Sequence, residues 1–140
     1  MTFLVERLAE LRRHLDHLRS LHPRVTGVDS LVSDLSLHND VLFSLLMVTQ
    51  LVIDIAGELG AARGLRFDDY TEAVRNLAAL DGFSPELVRQ LERLPGFRNV
   101  VIHEYVGIDL QRAVSELDEL DPLDDFVGIV AALIEADENV

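Results

Sequence analysis

The segment from Phe97 to Tyr105 places several chemically versatile side chains within an otherwise apolar stretch: Arg98, Asn99, His103, Glu104 and Tyr105. A histidine titrates near neutrality, so His103 can take a proton from a ribose 2′-hydroxyl or return one to a leaving oxygen. The planar, permanently charged guanidinium of Arg98 fits a phosphate and can stabilise the extra charge of a transition state. These residue types suit RNA transesterification and require no metal ion.

The spacing within this segment decides which side chains can act together. On an ideal α-helix, Asn99 and His103 share one face, so we expect Asn99 to hydrogen-bond the imidazole and fix its orientation. Arg98 and His103 point about 140° apart on such a helix. Either the long arginine side chain wraps around the helix, or a second subunit completes the site across a two-fold axis. Glu104, next to His103, is a supporting residue.

Two acids on a predicted central helix are further candidates. Asp54 and Glu58 lie four residues apart in an apolar neighbourhood, where a buried acid needs a partner. Two interpretations stay open: the acids face the motif helix and hold Arg98 or Asn99, or they are exposed or cap a turn. We interpret Tyr70 as a packing residue.

The elements that carry these residues follow from hydrophobic periodicity. Apolar residues recur at spacings of three and four along nearly the whole chain, which predicts an all-α protein without a sheet. We expect an up-and-down bundle of about five to six helices in a single domain, residues 1–140. Predicted segments run over about 3–21, from 30 or 34 to 59, 69–81, 84–94, 97–105, 109–120 and 122–136.

Local signals mark the ends of these segments. Asp69 with Glu72, and Ser84 before Pro85, have the composition of helix N-termini. Gly60 is predicted to cap the central helix, and a break at Pro95 and Gly96 is predicted to separate the helix before the motif from the motif helix.

Charge and composition limit the function classes. The formal net charge is −13, which is unfavourable for RNA binding because phosphate recognition normally uses a basic surface. Residues 1–24 hold five arginines and three acids, a net +2, and the remaining seven arginines and 22 acids give −15. The basic N-terminal segment is either an anion-binding surface or the solvated face of an amphipathic helix.

The same composition indicates where the protein works. The N-terminus lacks the charged-then-apolar order of a signal peptide, and the most apolar stretch, 41–56, is too short and too polar to span a bilayer. The chain has no cysteine, and its histidines lack metal-ligand spacing. We therefore expect a cytoplasmic, soluble protein with no membrane partner, no metal and no cofactor.

The pattern Arg98-x4-His103-x-Tyr105 resembles the signature of HepT-like toxins, which belong to the HEPN superfamily. The likeness extends over roughly residues 30–135 and includes four flanking segments: Asp34 with the apolar run 52–56, then 69–73, 82–87 and 108–109. Pro95 departs from the family pattern, which has a bulky apolar residue at that position, and this concerns the start of the motif helix.

The resemblance implies a homodimer whose composite groove holds both Arg-x4-His motifs. It implies a metal-independent endoribonuclease that acts as the toxin of a toxin–antitoxin system. Its partner would be a minimal nucleotidyltransferase antitoxin, MntA-like, that transfers AMP from ATP to the tyrosine of the motif, here Tyr105. A phosphodiester at Tyr105 would bring negative charge beside Arg98 and fill the groove meant for RNA.

An alternative from another class is a non-catalytic helical accessory module that binds and positions a nucleotidyltransferase. The net charge of −13 favours this alternative, whereas the intact Arg98, His103 and Tyr105 favour the enzyme. A degenerate dimerisation module is a third possibility. Mutation of His103 discriminates, since an enzyme would lose toxicity with its fold intact and an accessory protein would keep its partner binding.

Overall fold

Eight α-helices and three short 3-10 helices make up the fold in the computed structural model, which describes residues 2–138, and this range contains no strand. This confirms the predicted all-α fold, with eight α-helices where about five to six were expected. Residues 1, 139 and 140 of the predicted domain lie outside the described range. The 3-10 helices are His22–Arg24, Asn76–Ala79 and Tyr105–Gly107. The α-helices are α1 (Thr2–Leu21), α2 (Val28–Ser33), α3 (Leu35–Ala61), α4 (Tyr70–Arg75), α5 (Pro85–Leu91), α6 (Leu94–His103), α7 (Leu110–Asp118) and α8 (Asp121–Glu138).

Helix α3 lies at the centre of the bundle because it is apolar on most of its sides. Fifteen of its 27 residues are buried, and it packs against α1, α4, α6 and α7. The stretch 41–56 was expected to be too short and too polar to span a bilayer, but the whole of α3 is long and apolar enough by length and composition alone. Its most apolar window is 61% buried inside the protein, as in the core helix of a bundle. The Asp34 side chain begins the helix by accepting a hydrogen bond from the Leu37 amide, 3.1 Å away.

Helix α1 confirms the predicted first segment and covers one side of α3. Its buried side chains are leucines spaced three and four apart, which places all of them on one face. That face packs against α3 and α8. The buried set comprises Leu8, Leu11, Leu15, Leu18 and Leu21.

One polar contact joins α1 to α3 within this packing. The His14 Nδ1 atom lies 3.0 Å from the hydroxyl of the buried Ser44. Burial lowers the pKa of His14 below its ordinary value, and Glu10 partly opposes this shift, while Arg13 and His17 add to it. His14 is therefore favoured in its neutral form inside the folded protein.

Two predicted boundaries around α2 and α3 were wrong. No helix was predicted between residues 21 and 30, but this stretch contains the 3-10 helix His22–Arg24 and the start of α2. Helix α3 continues through Gly60 to Ala61, and the chain turns at Gly64 instead, where φ is +75°. A φ in the left-handed region suits glycine because it has no Cβ.

The predicted break at Pro95 was also wrong. Helix α5 ends at Leu91, and Pro95 is the second residue of α6. Proline is compatible with the first turn of a helix, since an amide there has no partner within the helix. The motif helix therefore begins at Leu94 and ends at His103, two residues before the predicted end at Tyr105.

Helix ends elsewhere follow the predicted capping signals. The Asp69 side chain accepts from the Glu72 amide at 2.8 Å, and the Ser84 hydroxyl accepts from the Leu87 amide at 3.1 Å. The Glu72 carboxylate accepts a hydrogen bond from the amide of Asp68 rather than that of Asp69, so the capping box is displaced by one residue.

Candidate active site

Helix α6 positions the motif because its apolar face is anchored in the core. Phe97 is fully buried and Val101 is 7% exposed, and the helix packs against α3 and α4. Arg98 follows the anchoring residue Phe97 directly, so the backbone that carries its side chain is held by core packing. The sequence thus places the arginine on a rigid element.

The Arg98 side chain reaches across to α3 and α4. Its Nε donates a short hydrogen bond to the Oε1 atom of Gln50, and its guanidinium carbon lies 4.9 Å from the centre of the Tyr70 ring. Nη1 also donates a long bond, 3.4 Å, to Asn99 Oδ1. A hydrogen bond and a cation–π contact from two elements thus hold a half-buried guanidinium.

Gln50 is itself held from one turn further along α3. Its Nε2 donates to Asp54 Oδ1 at 2.8 Å, which fixes the amide so that its oxygen faces Arg98. Asp54 therefore supports Arg98 indirectly, through Gln50. This agrees in part with the first interpretation, in which the acids hold Arg98 or Asn99. Glu58 agrees with the second interpretation, because its side chain is exposed.

The other end of α6 borders an open groove of about 560 Å³. His103 ends the helix, and the following turn carries Tyr105, which is 67% exposed, and Val106, which is 88% exposed. Three motif residues and a further cation line the same groove: His103, Glu104, Tyr105 and Arg112. The phenol that the resemblance implies as a modification site is thus accessible beside the imidazole.

Within one chain, the structure brings His103, Glu104 and Tyr105 together but does not place Arg98 among the residues that line their groove. The expected hydrogen bond from Asn99 to the imidazole is not among the contacts of the described residues. Asn99 accepts from Arg98 instead. Because α6 ends at His103, the imidazole lies at the helix terminus and is open to solvent.

Two residues in this arrangement escaped the sequence reasoning. Gln50 was not among the candidate residues, and Tyr70 was interpreted as a packing residue, yet both contact Arg98. One signal for Gln50 was available. A glutamine four residues before an aspartate is a favourable hydrogen-bonding pair on a helix, and here it marks a partly buried polar position on a mostly apolar helix.

The chemistry of the site follows from these positions. The anchored arginine offers the Nη atoms of its guanidinium to a phosphate, and the exposed imidazole can exchange protons with a substrate. Within the described part of one chain, these two groups belong to neighbouring but separate surfaces of α6.

Solved structures of other proteins have a similar fold. A toxin–antitoxin structure, the tri-AMPylated HEPN toxin of Shewanella oneidensis in complex with MNT antitoxin, is similar with a TM-score of 0.82 and 19% identity. The match covers 94% of this chain and 98% of that one. A second toxin–antitoxin structure, solved with AMP-PNP, is similar with a TM-score of 0.81 and 18% identity, over 94% and 99% of the two chains. The fold is therefore that of a HEPN helical bundle.

The sequence comparisons then give the family. The family model for ribonuclease HepT-like proteins matches residues 11–130. A protein of Archaeoglobus fulgidus described as a candidate RNase is 31% identical over 116 residues, which is 78% of this chain and 86% of that protein. The chain belongs to the ribonuclease HepT-like family, which confirms the family resemblance identified in the sequence.

Proposed function

We propose that this protein is the toxin of a toxin–antitoxin pair and acts in the cytoplasm as a metal-independent endoribonuclease. Arg98 and His103 are its catalytic residues, with Asn99 and Glu104 in support. The observation that carries the proposal is the anchoring of Arg98 by Gln50 and Tyr70, next to a groove where His103 and Tyr105 are exposed.

The reaction is a transesterification at one phosphodiester. His103 accepts the proton of the ribose 2′-hydroxyl, and the 2′ oxygen forms a bond to phosphorus as the bond to the 5′ oxygen breaks. A second imidazole donates a proton to the departing 5′ oxygen. The products are a 2′,3′-cyclic phosphate and a 5′-hydroxyl end, and Arg98 stabilises the charge on the phosphoryl oxygens.

A homodimer supplies the second imidazole. Arg98 and His103 belong to separate surfaces of one chain, so a phosphate reaching both is best served by two copies of α6 around a two-fold axis. Each copy would then contribute one arginine and one histidine to a shared groove.

Tyr105 is the regulatory residue, and the partner is a nucleotidyltransferase antitoxin. The phenol oxygen of Tyr105 attacks the α-phosphorus of ATP, pyrophosphate leaves, and the phenol proton passes to solvent. The HEPN toxin of the Shewanella oneidensis complex is itself AMPylated, which supports this assignment. An AMP on the exposed Tyr105 would fill the groove beside His103 and repel RNA by its negative charge.

The decisive experiment is RNA cleavage in EDTA by the purified protein, after its intact mass has shown that Tyr105 carries no AMP. We expect wild-type protein to cleave and His103→Ala to be inactive, with both remaining folded dimers. If wild type cleaves none of several RNAs and His103→Ala still binds the antitoxin, the enzyme proposal is wrong and the protein is a non-catalytic accessory module.

Tyr105→Phe separates catalysis from regulation. This variant keeps the ring but lacks the nucleophilic oxygen, so we expect normal cleavage and no AMP incorporation when ATP and the antitoxin are present. AMP on Tyr105→Phe would assign the modification to another residue.

A further inference from the structure

We propose that a cleft between α1, α3 and the start of α4 binds one nucleobase of the RNA beside the scissile phosphate, with guanine as the preferred base. This inference rests on the proposed ribonuclease function and names a recognition site for it. The cleft has a volume of about 420 Å³. Its lining includes three aromatic rings and two carboxylates: Phe3, Phe67, Tyr70, Asp54 and Glu58.

The cleft is continuous with the Arg98 site through two shared residues. Tyr70 lines the cleft and also lies under the Arg98 guanidinium, 4.9 Å from ring centre to guanidinium carbon. Asp54 lines the cleft and holds Gln50, which accepts from Arg98. A phosphate bound by Arg98 would therefore place the base of its own nucleotide, or of the next one, at the cleft.

Aromatic rings give the cleft surfaces on which a base can stack. Phe67 and Tyr70 are 39% and 38% exposed, so each keeps a free ring surface. Gly57 makes room for Phe67, because a Cβ at position 57 would lie 3.2 Å from the Phe67 Cε1 atom. Stacking on such rings is the usual way in which proteins hold unpaired bases.

Cations flank the cleft on two sides. Besides Arg98 over Tyr70, the Arg7 guanidinium carbon lies 4.0 Å from the centre of the Phe3 ring. Among the described residues, the ion pair of Arg7 is an exposed one of 3.8 Å with Glu6, which contributes little in water. Two guanidiniums stacked on two lining rings can thus accept the phosphates of an RNA strand, although the protein as a whole is acidic.

The acids inside the cleft select a base and disfavour a phosphate there. Asp54 already accepts a hydrogen bond from Gln50, whereas the exposed Glu58 carboxylate is open to a ligand. An ionised carboxylate only accepts hydrogen bonds. Guanine presents two adjacent donors on its pairing edge, N1–H and the N2 amino group, which match the two oxygens of one carboxylate. The pairing edges of the other bases place an acceptor beside their donor.

The test is RNA binding by the His103→Ala variant, which removes cleavage and leaves the cleft unchanged. Fluorescence anisotropy would compare labelled oligouridines that carry a single central guanosine, inosine, adenosine or uridine. Inosine differs from guanosine only by the missing N2 amino group. Because a hydrogen bond to a charged group is lost, we expect guanosine to bind about tenfold more tightly than inosine.

Variants assign this preference to the cleft. Glu58→Gln, made in the His103→Ala background, should abolish the difference between guanosine and inosine. Asp16→Asn also removes one exposed carboxylate, but it lies about 20 Å from Phe3 along α1 and should preserve the preference. Phe67→Leu should weaken binding of every oligonucleotide with a stacked base by about tenfold.

The outcomes separate this inference from the proposed function. Equal affinity for all four oligonucleotides, a preference for adenosine, or a guanosine preference that survives Glu58→Gln would each overturn the guanine site. Cleavage by wild type without regard to neighbouring guanosine would also overturn it and leave the ribonuclease intact. A Glu58-dependent guanosine preference in a protein that never cleaves RNA would support the site and refute the ribonuclease.

Discussion

Replacing Gln50 by methionine tests whether the position of Arg98 is set from α3. Methionine keeps the length and helix propensity of glutamine but lacks the oxygen that accepts from the Arg98 Nε. A hydrogen bond to a charged group contributes about 1.5–3 kcal/mol, and the half-buried setting of Arg98 favours the lower end. The cation–π contact with Tyr70, about 0.5–1 kcal/mol, remains in the variant. We expect kcat/KM to fall about tenfold.

The assay is cleavage of a fluorescent RNA in EDTA, with kcat and KM measured separately. If Arg98 acts mainly on the transition state, kcat should fall and KM should change little. Gln50→Glu keeps an acceptor oxygen for Arg98 and should retain more activity than Gln50→Met. Wild-type kcat/KM in Gln50→Met, with an unchanged melting temperature, would show that Gln50 does not position Arg98.

Three further predictions concern folding and can be checked by urea unfolding followed by circular dichroism. Phe97→Ala should lower the free energy of unfolding by about 3–5 kcal/mol because a fully buried ring is removed. The control Val32→Ala, at a site that is 68% exposed, should change it by less than about 0.5 kcal/mol. A smaller loss for Phe97→Ala would contradict the anchoring of α6. Ser84→Ala should cost about 1 kcal/mol through loss of the hydroxyl that caps α5, and an unchanged urea midpoint would refute that role. The pKa of His14 is lowered in the folded protein, so the unfolded chain binds more protons than the folded chain between the folded pKa and about 6.5. Stability should therefore fall as the pH falls through that window. His14→Gln should lose less stability between pH 7.5 and pH 5 than wild type, and identical pH profiles would exclude His14 as the cause.

Helix content was predictable because it depends on near neighbours in the chain. The leucines of α1 recur at helical spacing, and the caps at Asp69 and Ser84 need only residues three positions away. Predictions of helix boundaries were wrong where one local sequence signal is compatible with two structures. Proline is compatible with a break or with the first turn of a helix, and at Pro95 it lies in the first turn, where it is buried against the core.

The candidate site was predictable in its residue types and only partly in its contacts. Arg98, His103 and Tyr105 could be chosen because their chemistry is a property of the side chains, and the family resemblance supplied their roles as expectations. The partners of Arg98 could not be predicted from spacing in the sequence. Gln50 lies 48 residues away in sequence, and Tyr70 lies on a different helix, so neither contact leaves a periodic signal.

The sequence by itself determined an all-α protein, the helix that carries Arg98 and His103, and the chemistry that these residues can perform, because periodicity and side-chain type are local properties. Only the tertiary structure decided that Arg98 is held by Gln50 and Tyr70, that Asp54 supports it indirectly, and that Tyr105 is exposed beside His103. Those contacts depend on how α3, α4 and α6 pack, and packing is set by the fit of the whole core rather than by any one segment.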